Sequence, residues 1–130
     1  MADLWARGLR TVFPRVSEAE LRLFEVEDID ALEPGYGGIR EPVAGVREVG
    51  PGSVDVFFVP GMLFDRGGRR LGRGRGYFDR LLANARRDAL RVGCSYADRV
   101  VEDLPTESWD VLMHLVVTER EVIRNESLGR

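Results

Sequence analysis

Residues 70–80 read RLGRGRGYFDR, a stretch in which a glycine-rich segment leads into a predicted helix. Glycine at positions 72, 74 and 76 alternates with Arg73 and Arg75, which is the composition of a loop. Beyond the loop, apolar residues recur at the spacing of one helix face, so the pattern predicts an amphipathic helix. These apolar residues are Phe78, Leu81, Leu82, Ala85 and Ala89.

Three apolar runs surround this loop and helix. Residues 54–60 (VDVFFVP) have the composition of a strand covered on both faces, and residues 91–96 (RVGCSY) and 111–118 (VLMHLVVT) predict two further buried strands. Strand, helix and strand in this order predict an α/β fold, a three-layer sandwich with a mainly parallel sheet. Ligands of such sheets bind beyond the carboxyl ends of the strands, where we expect the glycine-rich loop to lie.

The first third of the chain predicts shorter elements. Residues 3–10 (DLWARGLR) suit a short amphipathic helix with Leu4, Trp5 and Leu9 inward. Residues 11–16 (TVFPRV) read as a strand near a sheet edge because they contain a proline, and residues 20–26 (ELRLFEV) as a half-buried strand. Residues 33–42 (EPGYGGIREP) have the composition of a loop.

Length and composition fit one compact domain. The chain has 130 residues, of which 44% are hydrophobic and 32% charged, and we expect a single α/β domain over residues 1–130. The net charge of -3 argues against general affinity for nucleic acid. No run approaches the roughly 18 apolar residues of a membrane span, and we see no signal peptide, so the expected protein is soluble and cytoplasmic with no membrane partner.

The basic residues are unevenly placed. All nineteen are arginine, which excludes a mechanism that needs a lysine, and nine of them lie between Arg66 and Arg91 against only Asp79 and Asp88. The single cysteine, Cys94, cannot form an internal disulfide. Because Cys94 lies in an apolar run, a small buried side chain is favoured there over a reactive thiol.

The glycine-rich loop has the chemistry of an anion site. Glycine leaves no Cβ to keep a ligand from the backbone and admits positive φ, so that successive amides can curl around an anion. Arg73 and Arg75, with Arg70, add forked donors that match phosphate geometry. Two alternatives remain open, a tight solvated turn and an arginine–glycine segment that binds nucleic acid. The spacing fits neither a Walker A loop nor a dinucleotide fingerprint.

The motifs resemble those of a known family. Residues 55–83 (DVFFVPGMLFDRGGRRLGRGRGYFDRLLA) are similar to the signature of 5-formyltetrahydrofolate cyclo-ligases, also called 5,10-methenyltetrahydrofolate synthetases. The resemblance continues through residues 92–124 and covers about Thr11 to Arg124, with its most specific part at Pro60 to Leu82.

The resemblance implies an ATP-driven ring closure. In this family the formyl oxygen of 5-formyltetrahydrofolate attacks the γ-phosphate of ATP, and the neighbouring folate nitrogen then closes the ring. The products are the 5,10-methenyl compound, ADP and phosphate. Such chemistry depends on positioning the phosphates and neutralising their charge rather than on acid–base groups. We therefore name no catalytic acid or base.

The resemblance also implies roles for individual residues. Arg73 and Tyr77 would contact the folate as well as the nucleotide. Asp79 matches a magnesium ligand of the family, although an acid in the first turn of a helix is also common for structural reasons. Phe78 stands where the family usually has a second tyrosine. The residues expected along the phosphates of ATP are Arg70, Gly72, Arg73, Gly74, Arg75, Gly76, Tyr77 and Phe78.

Two departures from the family pattern weaken the expectation of activity. The family's basic N-terminal helix, which clamps ATP, and its first strand have no counterpart here, so we interpret the chain as an N-terminally short member. His114 stands where the family tends to carry an aspartate near the metal, and a neutral imidazole suits Mg²⁺ poorly. The alternative to an active cyclo-ligase is therefore a truncated homologue that binds nucleotide or folate without turnover. We expect a homodimer that covers the apolar surface left by the missing elements.

Overall fold

The structure is a computed structural model that describes residues 6–27, 32–34, 40–42, 47–72, 76–105 and 111–128. For residues 32–34 and 40–42 it describes the backbone only. The chain divides into two compact units, Met1–Val54 and Asp55–Arg130, each of which is described by itself. The expectation of a single domain over residues 1–130 stays a prediction.

The first unit is built from antiparallel pairs. Strands β1 (Val12–Ser17), β2 (Glu20–Glu25) and β5 (Glu48–Val49) form a sheet in the order β1-β2-β5, and β3 (Leu32–Pro34) pairs with β4 (Arg40–Pro42). A two-residue turn joins β1 to β2, and both of its residues have positive φ, 51° at Glu18 and 65° at Ala19. Positive φ at both positions is typical of a hairpin turn whose twist matches that of the strands.

The two predicted strands of this unit are confirmed, whereas residues 7–10 are not helical. Pro14 lies in β1, an edge strand of the sheet, and β2 is half-buried, with Leu23 and Val26 in the core. The prediction of an inward Leu9 is wrong, because its side chain is 53% exposed just after a turn at residues 7–8. Leu4 and Trp5 lie outside the described residues. The predicted loop at residues 33–42 begins and ends in the short strands β3 and β4.

The second unit contains a four-stranded sheet in the order β12-β11-β9-β6. Its strands are β6 (Val56–Val59), β9 (Leu90–Cys94), β11 (Leu115–Val117) and β12 (Val122–Arg124). Strands β6 and β11 are parallel to β9, and β12 is antiparallel to β11. The mainly parallel sheet and the α/β class are therefore confirmed here, although the third predicted strand is shorter than residues 111–118.

A second sheet of this unit carries the strands that lead into the loop. Strand β7 (Leu63–Asp65) lies between β10 (Val100–Val101), which is parallel to it, and β8 (Arg70–Leu71), which is antiparallel to it. Phe64 of β7 is fully buried against Gly93 of β9, where a Cβ would collide with the phenyl ring. Gly93 thus lets the Phe64 ring sit directly on the backbone of the larger sheet.

The predicted helix is present but short. Helix α1 (Tyr77–Ala83) buries Leu81 and Leu82, as predicted. It ends at Ala83 because Asn84 leaves helical geometry, donating its Nδ2 to the Arg80 carbonyl and its backbone N–H to Leu81. Ala89 is buried, but it lies beyond the helix, just before β9.

Two predictions of burial in this unit are wrong. Residues 54–60 were expected to form a strand covered on both faces, but Val56 is 41% and Phe58 69% exposed because β6 is an edge strand of the sheet. Cys94 was expected to be buried, but it is exposed as the last residue of β9. Desolvation still raises the pKa of the Cys94 thiol.

Among the described residues, no helix has both the length and the apolar character needed to span a membrane.

Candidate functional site

The glycine-rich loop connects β8 to helix α1. Its central residues, Arg73, Gly74 and Arg75, lie outside the described residues, so their predicted contacts with phosphate stay predictions. Its two flanks are described, at Arg70–Gly72 on the strand side and from Gly76 on the helix side. The site can therefore be built from what these flanks bring together.

Gly76 begins the helix side of the loop. Its φ is 70°, a left-handed conformation that residues with a Cβ adopt at a cost, and its carbonyl accepts the first helical hydrogen bond, from Arg80 N at 3.0 Å. Glycine at this position is thus favoured by the conformation in which the chain enters α1. The ring of Tyr77, half-buried, has the Arg80 guanidinium over its face at 5.3 Å.

Arg70 joins the two flanks of the loop. Its side chain is only 6% exposed, and its Nη1 donates to the Pro60 carbonyl at 3.1 Å. Its Nη2 lies 3.5 Å from Oδ2 of Asp79, and its Cζ lies 5.6 Å from the centre of the Phe78 ring. Of the predicted site residues, the structure therefore brings Arg70, Phe78 and Asp79 into one cluster.

A carboxylate from outside this cluster organises the turn before β8. Asp65 is fully buried and accepts hydrogen bonds from the backbone N–H groups of Gly67, Arg69 and Leu104, at 2.9–3.0 Å. The Arg69 guanidinium lies 3.2 Å from its Oδ2. Burial by itself would raise the pKa of Asp65, but these hydrogen bonds and the Arg69 charge favour the carboxylate, and the pKa is lowered.

The same turn is also held from the C-terminal part of the unit. Buried Asn125 donates its Nδ2 to the Gly67 carbonyl at 2.9 Å and to the Met113 carbonyl at 3.2 Å. Gly68 has a φ of 81°, and a Cβ there would collide with the Met113 backbone. The turn from Asp65 to Arg69 is consequently a rigid support for the strand that begins at Arg70.

His114 has a structural role and not a metal-binding one. Its side chain is buried, and its Nδ1 accepts a hydrogen bond from the backbone N–H of Arg91 at 2.9 Å. Its own backbone N–H donates to the Arg91 carbonyl at 2.9 Å. This arrangement uses the Nδ1 lone pair to dock the start of β11 beside β9, and so does not leave that nitrogen for a metal.

A magnesium ion would find one suitable side chain in the described part of the site. Asp79 is 22% exposed at the start of α1, whereas no group of three or more His, Cys, Asp or Glu side chains suited to a metal occurs among the described residues. Mg²⁺ retains several waters and is commonly held by one or two carboxylates together with substrate phosphates. The single carboxylate of Asp79 fits that mode of binding.

Sequence reasoning missed the residues that hold Arg70 in place. Pro60 supplies the carbonyl, and Gly61 supplies the space, since a Cβ there would lie 2.8 Å from Arg70 Cγ. A Pro–Gly pair directly after an apolar strand was the available signal, but it predicts only a turn.

A cavity of about 360 Å³ beyond β9 and β11 was also missed. Its lining residues are Tyr96, Ala97, Asp98, Arg99, Glu119 and Arg120.

The fold and the loop together define an α/β protein whose glycine–arginine loop runs from a strand into a helix, with a buried arginine joining the two flanks. Comparison with known proteins narrows this class. Residues 1–119 match the model of the 5-formyltetrahydrofolate cyclo-ligase family, and the chain belongs to that family. The resemblance found in the sequence is confirmed.

Individual relatives agree with this assignment. The chain is 36% identical over 125 residues to a 5-formyltetrahydrofolate cyclo-ligase of Escherichia coli, covering 92% of this chain and 69% of that one. It is 45% identical over 76 residues to the cyclo-ligase of Haemophilus influenzae, covering 57% of this chain and 41% of the relative.

Solved structures are similar over almost the whole chain. The NMR structure of a 5,10-methenyltetrahydrofolate synthetase from Aquifex aeolicus superposes with a TM-score of 0.78 at 39% identity, covering 99% of this chain and 66% of that one. A synthetase from Mycoplasma pneumoniae shows the same fold, with a TM-score of 0.69 at 24% identity and coverage of 94% and 60%. The chain thus spans about two thirds or less of the length of these solved relatives.

Proposed function

We propose that this protein converts 5-formyltetrahydrofolate to 5,10-methenyltetrahydrofolate at the expense of ATP, with Mg²⁺. Family membership supports the folate substrate and the ring-closing reaction. The observation that carries the proposal for the site is the meeting of Arg70, Phe78 and Asp79, which come from both flanks of the glycine-rich loop. These contacts join the strand side of the loop to its helix side.

We assign the following roles to the residues of the proposed site. Gly72, Gly74 and Gly76 would let the phosphates of ATP approach the backbone, while Arg73 and Arg75 neutralise the charge that moves onto the transferred phosphoryl group. Arg73 and Tyr77 would also contact the folate. Phe78 and Arg70 complete the set of residues proposed around the nucleotide. Asp79 would supply a carboxylate oxygen to Mg²⁺, and the ion would help to neutralise the charge of the phosphates.

The proposal is tested by replacing the two arginines of the loop. The double variant Arg73→Ala/Arg75→Ala is expected to form the methenyl product about 100-fold more slowly or worse, since each arginine contributes charge-assisted hydrogen bonds to the transferred phosphoryl group. The rate is followed by the absorbance of the methenyl product after mixing with ATP, Mg²⁺ and 5-formyltetrahydrofolate.

Arg87→Ala is the matched control, because Arg87 is exposed and lies between α1 and β9, outside the loop. It should retain the rate of the unmodified protein. If the unmodified protein at high concentration forms no product, the proposed reaction is wrong. If the double variant still binds ATP as tightly as the unmodified protein, the assignment of Arg73 and Arg75 is wrong.

The finer features of the assembly belong to the same proposal. We propose a three-layer arrangement around the four-stranded sheet, as the order of strand, helix and strand predicts, and a homodimer that covers the exposed apolar residues of that sheet. Support for the dimer comes from Val56, Phe58 and Val122, all between 41% and 69% exposed on the two edge strands. The cytoplasmic location expected from the sequence stays a prediction.

A further inference from the structure

The cavity of about 360 Å³ lies beyond the carboxyl ends of β9 and β11, at the edge where parallel α/β sheets bind ligands. One of its walls is the segment after β9, where Tyr96 is 72% exposed and a short 3₁₀ turn follows at Ala97–Arg99. The other wall is the turn between β11 and β12, with Glu119 and Arg120. Its volume is in the range of ligand-binding pockets.

Hydrogen bonds hold the two walls in place. Glu119 Oε1 accepts a hydrogen bond from the Ala97 N–H at 2.6 Å, which ties the turn between β11 and β12 to the segment after β9. Within that turn, Thr118 Oγ1 accepts from the backbone N–H groups of Arg120 and Glu121, each at 3.1 Å. The shape of the cavity therefore does not depend on a ligand.

Two guanidinium groups line the cavity without a carboxylate partner. Arg99 and Arg120 are exposed, and neither makes an ion pair with a residue that the structure describes. Of the two acidic residues in the lining, Glu119 is already engaged with the Ala97 N–H, and Asp98 is exposed. Because the planar fork of arginine matches carboxylate geometry, these two arginines suit a ligand that carries carboxylates.

The cavity lies close to the glycine-rich loop. Val100, directly after the 3₁₀ turn, and Arg70, just before the loop, both lie opposite Phe64, on the two sides of β7. Because neighbouring strands lie about 4.8 Å apart, the backbones of Val100 and Arg70 are separated by about 10 Å. Since β10 is parallel and β8 antiparallel to β7, the 3₁₀ turn and the loop lie at the same end of this sheet.

We propose that this cavity binds the glutamyl end of the reduced folate, with Arg99 and Arg120 pairing with its carboxylates. The inference rests on the proposed function, in which the formyl group of the folate meets the γ-phosphate of ATP at the glycine-rich loop. The p-aminobenzoyl group then carries the glutamate about 10 Å or more from the formyl group, since the path contains about eight bonds or ring widths. That length matches the separation of the cavity from the loop.

Charge favours the folate over the nucleotide as the occupant. The adenosine end of ATP has no charge, whereas the glutamyl end of a folate has two carboxylates at pH 7. Two guanidinium groups without protein partners are complementary to the second of these. The exposed ring of Tyr96 would pack against the p-aminobenzoyl ring.

The proposal is tested by comparing 5-formyltetrahydrofolate with 5-formyltetrahydropteroate, the analogue that lacks the glutamyl residue. In calorimetry without ATP, the unmodified protein is expected to bind the analogue about tenfold more weakly or worse. Arg99→Ala/Arg120→Ala should weaken binding of 5-formyltetrahydrofolate by a similar factor and leave the analogue within about twofold. An equal loss for both ligands, or a loss for neither, would overturn the proposal.

Arg124→Ala is the matched control. Arg124 is an exposed arginine of β12 that lies opposite Leu115, the first residue of β11, and hence at the other end of the strand pair from the cavity. Its loss should leave both Kd values unchanged. Tyr96→Ala should weaken both ligands alike, because the p-aminobenzoyl ring is common to them. Unchanged binding of both by Tyr96→Ala would remove the ring contact from the proposal.

Kinetics separate this inference from the proposed function. If the cavity takes part of ATP instead, Arg99→Ala/Arg120→Ala raises the KM for ATP about tenfold and leaves the KM for the folate unchanged, which overturns the proposal. If the unmodified protein forms no methenyl product, the proposed reaction is wrong, but the ratio of the two Kd values still decides whether the cavity holds the glutamyl end. An unmodified protein that binds no 5-formyltetrahydrofolate would overturn both.

Discussion

At the scale of single residues, buried charge is used here to shape a turn. Asp65 accepts three backbone hydrogen bonds and one from the Arg69 guanidinium, and two of the backbone donors belong to the turn that leads to Arg70. A carboxylate is the side chain that accepts this many bonds at once, because it has two oxygens and no hydrogen. Asp65 thus stabilises the turn that precedes Arg70 without itself contacting a ligand.

Asp65→Asn is expected to lower the free energy of unfolding at pH 7 by about 3 kcal/mol, because the amide NH₂ would face N–H donors. The pKa of Asp65 is lowered in the folded protein, so its stabilisation is complete above the pKa of an unfolded aspartate, 3.8, and is lost as the pH falls through the lower, folded value. Urea unfolding at several pH values should therefore show the two proteins converging in acid.

Asp103→Asn is the control for this experiment. Asp103 also lies 3.2 Å from the Arg69 guanidinium, but its side chain is 82% exposed. Its loss should change the free energy of unfolding by less than about 1 kcal/mol. A pH-independent difference between Asp65→Asn and the unmodified protein would contradict the role given to the Asp65 carboxylate.

At the scale of elements, the hairpin of the first unit departs from the usual chemistry of its turn. The register of β1 and β2 is continuous from Val12 opposite Glu25 to Ser17 opposite Glu20, which leaves only Glu18 and Ala19 to connect the strands. Both have positive φ, a conformation that disfavours residues with a Cβ by about 1–2 kcal/mol each. The turn is therefore formed because the strands pair, and not because of its own residues.

Replacing Glu18 and Ala19 by Asn and Gly is expected to raise the free energy of unfolding by about 1 kcal/mol, since this pair favours positive φ at both turn positions. The change is measured as a higher urea midpoint with an unaltered slope. Ala19→Gly alone should give part of the effect. A lower midpoint for Ala19→Gly would show that the left-handed conformation at residue 19 is not adopted in solution.

At the scale of the whole molecule, the four-stranded sheet has one face with exposed apolar residues at both edges. Phe58 lies opposite Val92, and Val117 lies opposite both Cys94 and Val122. Because Val92 and Cys94 are two residues apart on β9, all of these side chains share one face. Val92 in the middle is buried, whereas Phe58 is 69% and Val122 53% exposed. Exposed apolar side chains that share one sheet face are typical of an interaction surface.

The proposed homodimer is tested by light scattering at micromolar concentration. The unmodified protein should have the mass of two chains, and Phe58→Glu should reduce it to that of one, because burying the introduced carboxylate in an apolar interface is unfavourable. Leu9→Glu, at another exposed apolar position, should leave the mass unchanged. A single-chain mass for the unmodified protein would rule the dimer out at that concentration.

Features that depend on neighbouring residues could be predicted from the order of the amino acids. Apolar runs and glycine placed the central strands, the loop and the start of α1, Pro14 marked an edge strand, and the motif around residues 60–82 identified the family. These signals are local, because backbone preference and side-chain periodicity act over a few residues. The composition of the loop indicates an anion site, and the family resemblance supplies the proposed roles of its individual residues.

The burial of surfaces and the partners of the charged groups could not be predicted in this way, because they depend on how the folded elements pack. Phe58 and Cys94 have the sequence context of core residues, yet Phe58 is exposed on an edge strand and Cys94 is exposed at the end of its strand. The sequence predicts that Arg70 is a phosphate ligand, and the structure shows its side chain buried and in contact with Pro60 and Asp79. Burial and pairing depend on residues far away in the sequence, and no local pattern encodes them.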